Sequence, residues 1–259
     1  MTTAPDTAVY VYCVCRAPRR PRIARDRHGV PGATVPAPER VAPTLWLVAS
    51  AVPLDVYGPG NLEPRLRDLD WVADVAVAHE AVTESVARGR GVVVVPMKMF
   101  TMFSTLEKAG ADVRARRAAI DRVIRHIAGC EEWGVRVTRQ AAVAAPEDTS
   151  PRTGAGFLRA RKAARDAAAT AHAGAVAAAE TAFDRLTRLA KDANRRARRS
   201  EPGTNPPILE AAFLVRAGGR ARFTAEARRQ TSTLAKAGAD LTLTGPWPAY
   251  NFVGSEAVT

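Results

Sequence analysis

The sequence predicts an α+β protein with two domains. We expect an N-terminal α+β domain over residues 1–130 and a C-terminal ferredoxin-like domain over residues 131–259. Strand-type runs alternate with helical apolar spacing along the whole chain. The length of 259 residues exceeds the usual single-domain size of about 100 to 200 residues. The second half follows the order β-α-β-α-β, which suits a ferredoxin-like sandwich in which one strand is missing or unrecognised.

Two apolar strands and a long loop open the chain. Residues 9–15, VYVYCVC, combine β-branched, aromatic and sulfur side chains, which predicts a strand buried on both faces. Residues 16–43 contain six prolines among arginines and glycines, which predicts a Pro/Arg-rich loop or a disordered insertion. Residues 44–52, TLWLVASAV, restore the strand pattern. We therefore expect these two strands to pair as a hairpin.

Helical spacing dominates the remainder of the first domain. Residues 62–88 have apolar side chains three or four apart, with a break near Asp70. Residues 92–95 read as a core strand that Pro96 ends. A helix capped by Ser104 or Thr105 is then predicted to reach about residue 128, with Leu106 among its inward side chains.

The second domain is predicted around one long alanine-rich helix. Residues 133–139 alternate apolar and polar side chains, as in a half-exposed strand. After a linker at 146–153, residues 156–199 form a helical segment of roughly 65 Å if it is continuous. Its alanines recur at steps of three and four, a coiled-coil-like seam, and Gly174 marks a kink or a helical hairpin.

The end of the chain returns to shorter elements. Residues 201–207 are predicted to form a turn, 208–215 a strand, 223–237 a helix and 240–244 a last strand. Gly245-Pro246-Trp247-Pro248 is expected to break that strand.

The composition limits the classes of function. A net charge of +12 and a pI near 10.5 raise the hypothesis of a nucleic-acid binder that uses Arg-rich helices. Most arginines lie beside alanines in helical stretches, so solvated helix faces are favoured over a nucleic-acid surface. No signal-peptide or membrane-spanning pattern is present, and we expect a cytoplasmic protein without membrane contact. The three cysteines define neither a disulfide framework nor a zinc site, so buried, reduced thiols are expected.

The sequence contains no pattern typical of catalysis, a metal or a cofactor. His79-Glu80 superficially matches a zincin helix, but Thr83 occupies the position of the second histidine. An exposed or helix-capping His79 is therefore expected. Glu131 and Glu132 would point to opposite faces of a strand, so we interpret them as surface charges. We predict no catalytic, cofactor-binding or metal-binding residues, although an enzyme of an unrecognised kind stays an alternative.

Ordered landmarks along almost the whole chain resemble the gas vesicle accessory protein F/L family. They are the VYVYCVC strand, Asp70-Trp71-Val72, Ala78-His79-Glu80-x-Val82, Val95-Pro96-Met97-Lys98, Phe100-Thr101-Met102-Phe103, Glu132-Trp133-Gly134-Val135-Arg136-Val137, Gly156-Phe157-Leu158-x-x-Arg161-Lys162, Ala212-Phe213-Leu214-Val215 and Leu243-Thr244-Gly245-Pro246-Trp247-Pro248-x-Tyr250-Asn251-Phe252. Each landmark alone is weak, but their common order is specific.

The resemblance implies a chaperone-like assembly protein rather than an enzyme. It implies contact with the small hydrophobic gas vesicle shell subunit and with other accessory proteins, no cofactor, and a location in the cytoplasm at the gas vesicle. Met97, Lys98, Phe100 and Phe103 are the candidate interaction residues, and the alternative is that they continue a core strand. Many family members have Gly where this chain has Phe100, so a conformation special to Gly is not assumed there.

Overall fold

The chain divides into two compact units in a computed structural model that describes residues 6–24, 28–140, 154–196 and 206–254. The first unit contains residues 1–130 and 247–259, and the second contains 131–246. The final segment therefore groups with the first unit, whereas the sequence analysis assigned it to the second. The predicted linker at 146–153 and most of the predicted turn at 201–207 lie outside the described residues.

A five-stranded antiparallel sheet forms the centre of the first unit. Its strands are β1 (Thr7–Arg16), β2 (Glu39–Ala42), β3 (Leu45–Pro53), β4 (Val93–Pro96) and β5 (Met102–Phe103). Their order is β2-β3-β1-β4, and β5 also pairs with β1. The predicted pairing of β1 with β3 is confirmed, with Val9 opposite Ala51 and Val14 opposite Leu47. The apolar side chains of β1 are buried on both faces, as predicted, and the helices packed on the sheet contact this strand.

The Pro/Arg-rich loop is folded against the sheet over its described residues. The Val30 N–H donates to the Tyr12 hydroxyl at 3.0 Å, and the Tyr57 hydroxyl donates to the Pro31 carbonyl at 2.9 Å. At the other end, Trp46 Nε1 donates to the Ala17 carbonyl at 3.1 Å. The alternative of a disordered insertion is therefore wrong for the described part of the loop. The loop also ends in the strand β2, which was not predicted because of the neighbouring prolines.

Five helices accompany this sheet: α1 (Leu54–Tyr57), α2 (Leu62–Arg65), α3 (Leu69–Ala87), α4 (Leu106–Ala115) and α5 (Arg117–Ile127). The predicted break near Asp70 lies between α2 and α3, where Asp68 caps α3 by accepting the Trp71 N–H at 3.2 Å. Thr105 caps α4, as predicted. The single helix expected from there to residue 128 is instead interrupted at Arg116, where no Gly or Pro signals a break.

The second unit contains a four-stranded sheet and two helices. In chain order they are β6 (Cys130–Arg139), α6 (Gly154–Thr187), β7 (Asp192–Arg195), β8 (Leu209–Arg216), α7 (Arg220–Lys236) and β9 (Ala239–Trp247). The strand order is β7-β8-β6-β9. Phe213 and Phe223 lie at the centre of its core, with ring centroids 5.4 Å apart. Both units together give an α+β architecture, as predicted.

Two boundaries predicted for the second unit are wrong. The long helix ends at Thr187 rather than at 199, and residues 192–195 form β7 instead, paired with the edge of β8. The last strand is not broken at Gly245 but continues to Trp247. Gly245 permits this continuation because it has a φ of +123°, and a side chain there would place its Cβ 2.8 Å from the Glu132 carbonyl oxygen.

The long helix α6 is continuous through Gly174, so the helical-hairpin alternative is wrong. Of the predicted seam, only Ala175, Ala182 and Leu186 are buried, and Ala179 is buried in place of the predicted Ala178. The earlier seam alanines, between residues 164 and 171, are exposed. The helix thus anchors to the core through its second half alone.

Candidate protein-interaction surface

The segment from the end of β4 through β5 contains the four predicted interaction residues and forms a closed turn, here called the 97–103 turn. At its start the Met97 N–H donates to the Tyr12 carbonyl of β1 at 2.9 Å. The turn closes where the N–H and the hydroxyl of Thr101 both donate to the Lys98 carbonyl, at 3.2 and 2.8 Å. The Val11 N–H then donates to the Thr101 carbonyl at 2.9 Å. The central strand β1 therefore holds both ends of the turn.

The four predicted residues have different surroundings. Met97 is buried, with 2% of its surface exposed, as the core-strand alternative describes. Lys98 is exposed, and Phe100 is half-buried. Phe103 is also half-buried and lies opposite Val9 in the β5–β1 pair. Lys98, Phe100 and Phe103 thus provide accessible surface, and Met97 anchors the turn from below.

Two further apolar side chains, one within the turn and one at the start of α4, are exposed. Met99 is 40% exposed and Leu106 is 43% exposed. The inward position predicted for Leu106 is wrong, because it begins α4, where the helix has not yet packed against the sheet. Met99 lies between two of the predicted residues, but a single methionine in an apolar run gives no sign of its exposure. We call the side chains of Lys98, Met99, Phe100, Phe103 and Leu106 the turn surface.

Phe100 has a backbone conformation that normally favours glycine. Its φ is +62°, in the left-handed region, so this chain adopts that conformation with a bulky side chain. The ring stacks on Trp71 with centroids 5.9 Å apart and planes 21° apart, and its edge meets Tyr10 at 6.3 Å. These aromatic contacts offset a backbone cost of about 1–2 kcal/mol.

His79 holds the turn from inside the unit. It is 2% exposed, so the expectation of an exposed or helix-capping histidine is wrong. Nε2 lies 3.2 Å from the Met97 carbonyl oxygen, and Nδ1 lies 2.9 Å from the Tyr10 hydroxyl. A carbonyl only accepts, so Nε2 carries the proton and Nδ1 accepts from Tyr10. The Tyr10 oxygen in turn accepts the Phe100 N–H at 3.4 Å.

Burial makes this network electrically neutral. It lowers the pKa of His79 to about 4, and the Met97 carbonyl opposes that shift only in part. Burial also raises the pKa of Tyr10 well above its ordinary value. At neutral pH both groups are therefore uncharged, and His79 acts as a structural link between α3, β1 and the turn. No local sequence pattern indicates this link, because Tyr10 and His79 lie 69 residues apart.

One of the two adjacent glutamates of β6 also departs from expectation. Glu131 pairs with Arg220 across the second unit. Glu132 is 5% exposed and is thus a buried residue rather than a surface charge. The two carboxylates point to opposite sides of the strand and do not converge on one point, as their spacing predicts.

The buried thiols agree with the sequence analysis. Cys13 and Cys15 are buried thiols, and Cys130 is a half-buried thiol. Burial raises the pKa of Cys13 and brings that of Cys15 to about 12, so both are protonated at neutral pH. A protonated, enclosed thiol is a poor nucleophile.

An open groove of about 1080 Å³ lies between the Pro/Arg-rich loop and the end of α3. Arg20, Arg22 and Arg88 line it together with prolines, and Ser85 in its wall accepts the Ala24 N–H at 2.9 Å. No carboxylate, imidazole or thiol is among the described residues that line it. Throughout the described ranges, no three His, Cys, Asp or Glu side chains form a group suited to a metal ion. No helix in those ranges is long and apolar enough to cross a bilayer.

Many arginines of the basic chain pair with carboxylates of the same chain. Such pairs occur in both units: Arg16–Asp121, Arg88–Glu84, Arg116–Asp112, Arg117–Asp121, Arg195–Glu180, Arg220–Glu131 and Arg229–Glu226. A paired guanidinium contributes less to attraction of a polyanion than a free one. This weakens the nucleic-acid alternative.

Comparison with known proteins identifies the family. Residues 8–254 match the family model described as gas vesicle synthesis protein GvpL/GvpF. The chain is 29% identical over 265 residues to gas vesicle protein L of Streptomyces sp. (strain CB03234), covering 96% of this chain and 94% of that protein.

Two solved structures share the fold at low sequence identity. GvpF from Anabaena sp. PCC7120 superposes with a TM-score of 0.63 at 15% identity, over 96% of each chain. GvpF from Microcystis aeruginosa does so with a TM-score of 0.59 at 13% identity, over 95% of this chain and 99% of that one. The family model spans nearly the whole sequence, and the chain therefore belongs to the GvpL/GvpF family of gas vesicle synthesis proteins.

Proposed function

We propose that this protein is a non-catalytic accessory protein of gas vesicle assembly that binds the small hydrophobic shell subunit and other accessory proteins. The observation that carries the proposal is the family match over residues 8–254. The protein acts without a cofactor, in the cytoplasm at the growing vesicle. An apolar shell subunit must be held in solution before it polymerises, and a binding surface is sufficient for that task.

The turn surface suits an apolar partner. Met99 and Leu106 are exposed to 40% and 43%, and the rings of Phe100 and Phe103 are half-buried. Hydrogen bonds from β1 and His79 fix the backbone beneath, so little conformational entropy is lost when a partner binds. Lys98 adds one positive charge at the rim, which favours a partner with a nearby carboxylate.

The second unit supports the remainder of the proposal. We assign it a ferredoxin-like fold carrying an alanine-rich helical extension. Support comes from the chain order β-α-β-β-α-β and the sheet order β7-β8-β6-β9, in which the first and second strands of the unit flank the third. The strand missing from the sequence prediction is β7. We place contacts with other accessory proteins on this unit.

Binding to immobilised shell subunit by biolayer interferometry tests the proposed function. Met99→Asp is expected to weaken binding about tenfold or more, because it places a charge within an apolar contact. Leu158→Asp, at a side chain that is 65% exposed on α6, is the matched control and should change affinity less than about twofold. No binding of the unaltered protein at native salt would contradict the proposal. An equal loss in both variants would contradict the role of the turn surface.

A further inference from the structure

The first part of α6 is exposed to solvent in the part of the chain that the structure describes. Every described residue from 154 to 174 is exposed apart from the half-buried Gly156. Phe157 and Leu158 are 52% and 65% exposed. The segment has 21 residues and spans about 31 Å. An isolated helix of this length is marginal in water, and most helical stability in proteins comes from packing of one face.

One face of this segment is built for packing. At 100° per residue, Phe157, Ala164 and Ala168 lie on the same side of α6 as the buried residues of its second half. Alanines on this face allow a second helix to approach closely. Arg161 and Arg165 flank the apolar line on one side. The face therefore combines an apolar centre with a basic rim.

A complementary face lies on α3. Leu69, Ala73 and Val77 recur every four residues along its outer side, and all three are exposed. Leu69 is 77% exposed and Val77 is 67% exposed, the largest values among the exposed large apolar side chains of the described structure. Asp70 and Asp74 flank this line. This face combines an apolar centre with an acidic rim.

The charges of the two helices are opposite. Residues 154–174 contain four Lys or Arg and one Asp, whereas α3 contains four Asp or Glu and no Lys or Arg. Of these acids, Glu84 pairs with Arg88 at 2.8 Å and Glu80 is half-buried, whereas Asp70 and Asp74 are exposed and form the acidic rim. The concentration of acid on α3 is unusual in a chain with a net charge of +12. The lengths also correspond, since the 19 residues of α3 span about 28 Å.

We infer that residues 154–174 of one molecule bind the outer face of α3 in a second copy of this chain, with Phe157, Ala164 and Ala168 against Leu69, Ala73 and Val77. Arg161 and Arg165 of the first molecule then lie close to Asp70 and Asp74 of the second. Packing of the apolar lines supplies the affinity, and the charges set the register. The inference does not depend on the proposed function, and it uses residues outside the turn surface.

Sedimentation velocity with charge-exchange variants tests the contact. At low salt and micromolar concentration the unaltered protein should sediment as a dimer or a larger assembly. Asp74→Arg and Arg161→Glu should each give monomers, and an equimolar mixture of the two should restore association, because the exchanged charges again attract. Arg159→Glu lies on the opposite side of α6 and should associate like the unaltered protein. Circular dichroism of each variant checks that the helices remain folded.

Disulfide trapping gives a second, geometric readout. Val77→Cys and Ala168→Cys molecules should cross-link when mixed, whereas Val77→Cys and Ala163→Cys should not, because residue 163 lies on another side of α6. A monomeric unaltered protein would overturn the inference, as would charge-exchange variants that associate normally. Cross-linking of Ala168→Cys only with itself would also overturn it, in favour of pairing between two α6 helices. If Arg161→Glu no longer binds DNA but still associates, the basic rim binds nucleic acid instead, and the inference is overturned.

Discussion

His79 lies among aromatic side chains, where its ring accepts one hydrogen bond from Tyr10 and donates another to the Met97 carbonyl. Its environment excludes water, and burial lowers its pKa to about 4. An unfolded chain has an ordinary histidine pKa near 6.5. As the pH falls below 6.5, His79 binds a proton in the unfolded state but not in the folded state. The free energy of unfolding therefore decreases as the pH falls, until the folded pKa is reached.

Replacement of His79 by Gln tests this linkage. Between pH 7.5 and pH 4.5 the free energy of unfolding of the native protein should fall by about 2–3 kcal/mol more than that of His79→Gln, whose side chain does not titrate. Urea unfolding of both proteins across this range measures the difference. Carboxylates titrate equally in the two proteins and cancel. Parallel pH profiles would show that His79 is not the buried neutral group described above.

Phe100 combines an unfavourable backbone conformation with favourable ring contacts, and three residues at this position separate the two effects. Phe100→Ala removes the stack on Trp71 but keeps the Cβ, whereas Phe100→Gly removes both. The alanine variant should therefore be less stable than the glycine variant by about 1–2 kcal/mol. Thermal or urea unfolding measures the ranking. Equal stability of the two variants would contradict a left-handed residue 100.

At the scale of helices and strands, the hydrophobic pattern predicted the elements whose own side chains are buried. β1, β3 and β8 are apolar runs whose residues fill the cores, and each lies within one or two residues of its predicted position. β7 has the sequence DANR, which carries no strand signal, and it exists because it pairs with β8. Helix propensity continues beyond residue 187, so the overlong helix prediction failed where this tertiary pairing prevails over local preference.

Helix α6 provides a test of where its stabilising contacts lie. Leu186→Ala removes a fully buried side chain and should lower the free energy of unfolding by about 2–5 kcal/mol. Leu158→Ala, in the exposed first half of the same helix, should change it by less than about 0.5 kcal/mol in the unassociated protein. Urea unfolding in high salt at low protein concentration measures both. Similar costs at the two positions would contradict the assignment of the first half as unpartnered.

At the scale of the whole molecule, only part of the candidate site could be predicted from the sequence. Linear motifs made the 97–103 turn a candidate site, because its predicted residues lie close together in sequence and resemble a family landmark. They did not distinguish buried Met97 from exposed Met99, since both lie in one apolar run. Nor did they connect Tyr10 with Phe100, which meet only after 90 residues of chain have folded. The missing information is the tertiary structure, because the burial of each side chain in an apolar run depends on which face of the run is turned to the core.

The charge of the whole molecule likewise acquires meaning only from the fold. The sequence shows an excess of +12, and the structure pairs arginines in both units with carboxylates. Each such ion pair reduces the positive charge that these arginines could offer to a nucleic acid.

Hydrogen–deuterium exchange of the protein with and without the shell subunit tests the central claim most directly. The account predicts slower exchange at the amides of residues 97–103 and at the start of α4 when the subunit is bound, with the centre of β8 unchanged as an internal reference. Protection confined to the second unit, or absent from the turn at saturating subunit, would contradict the account.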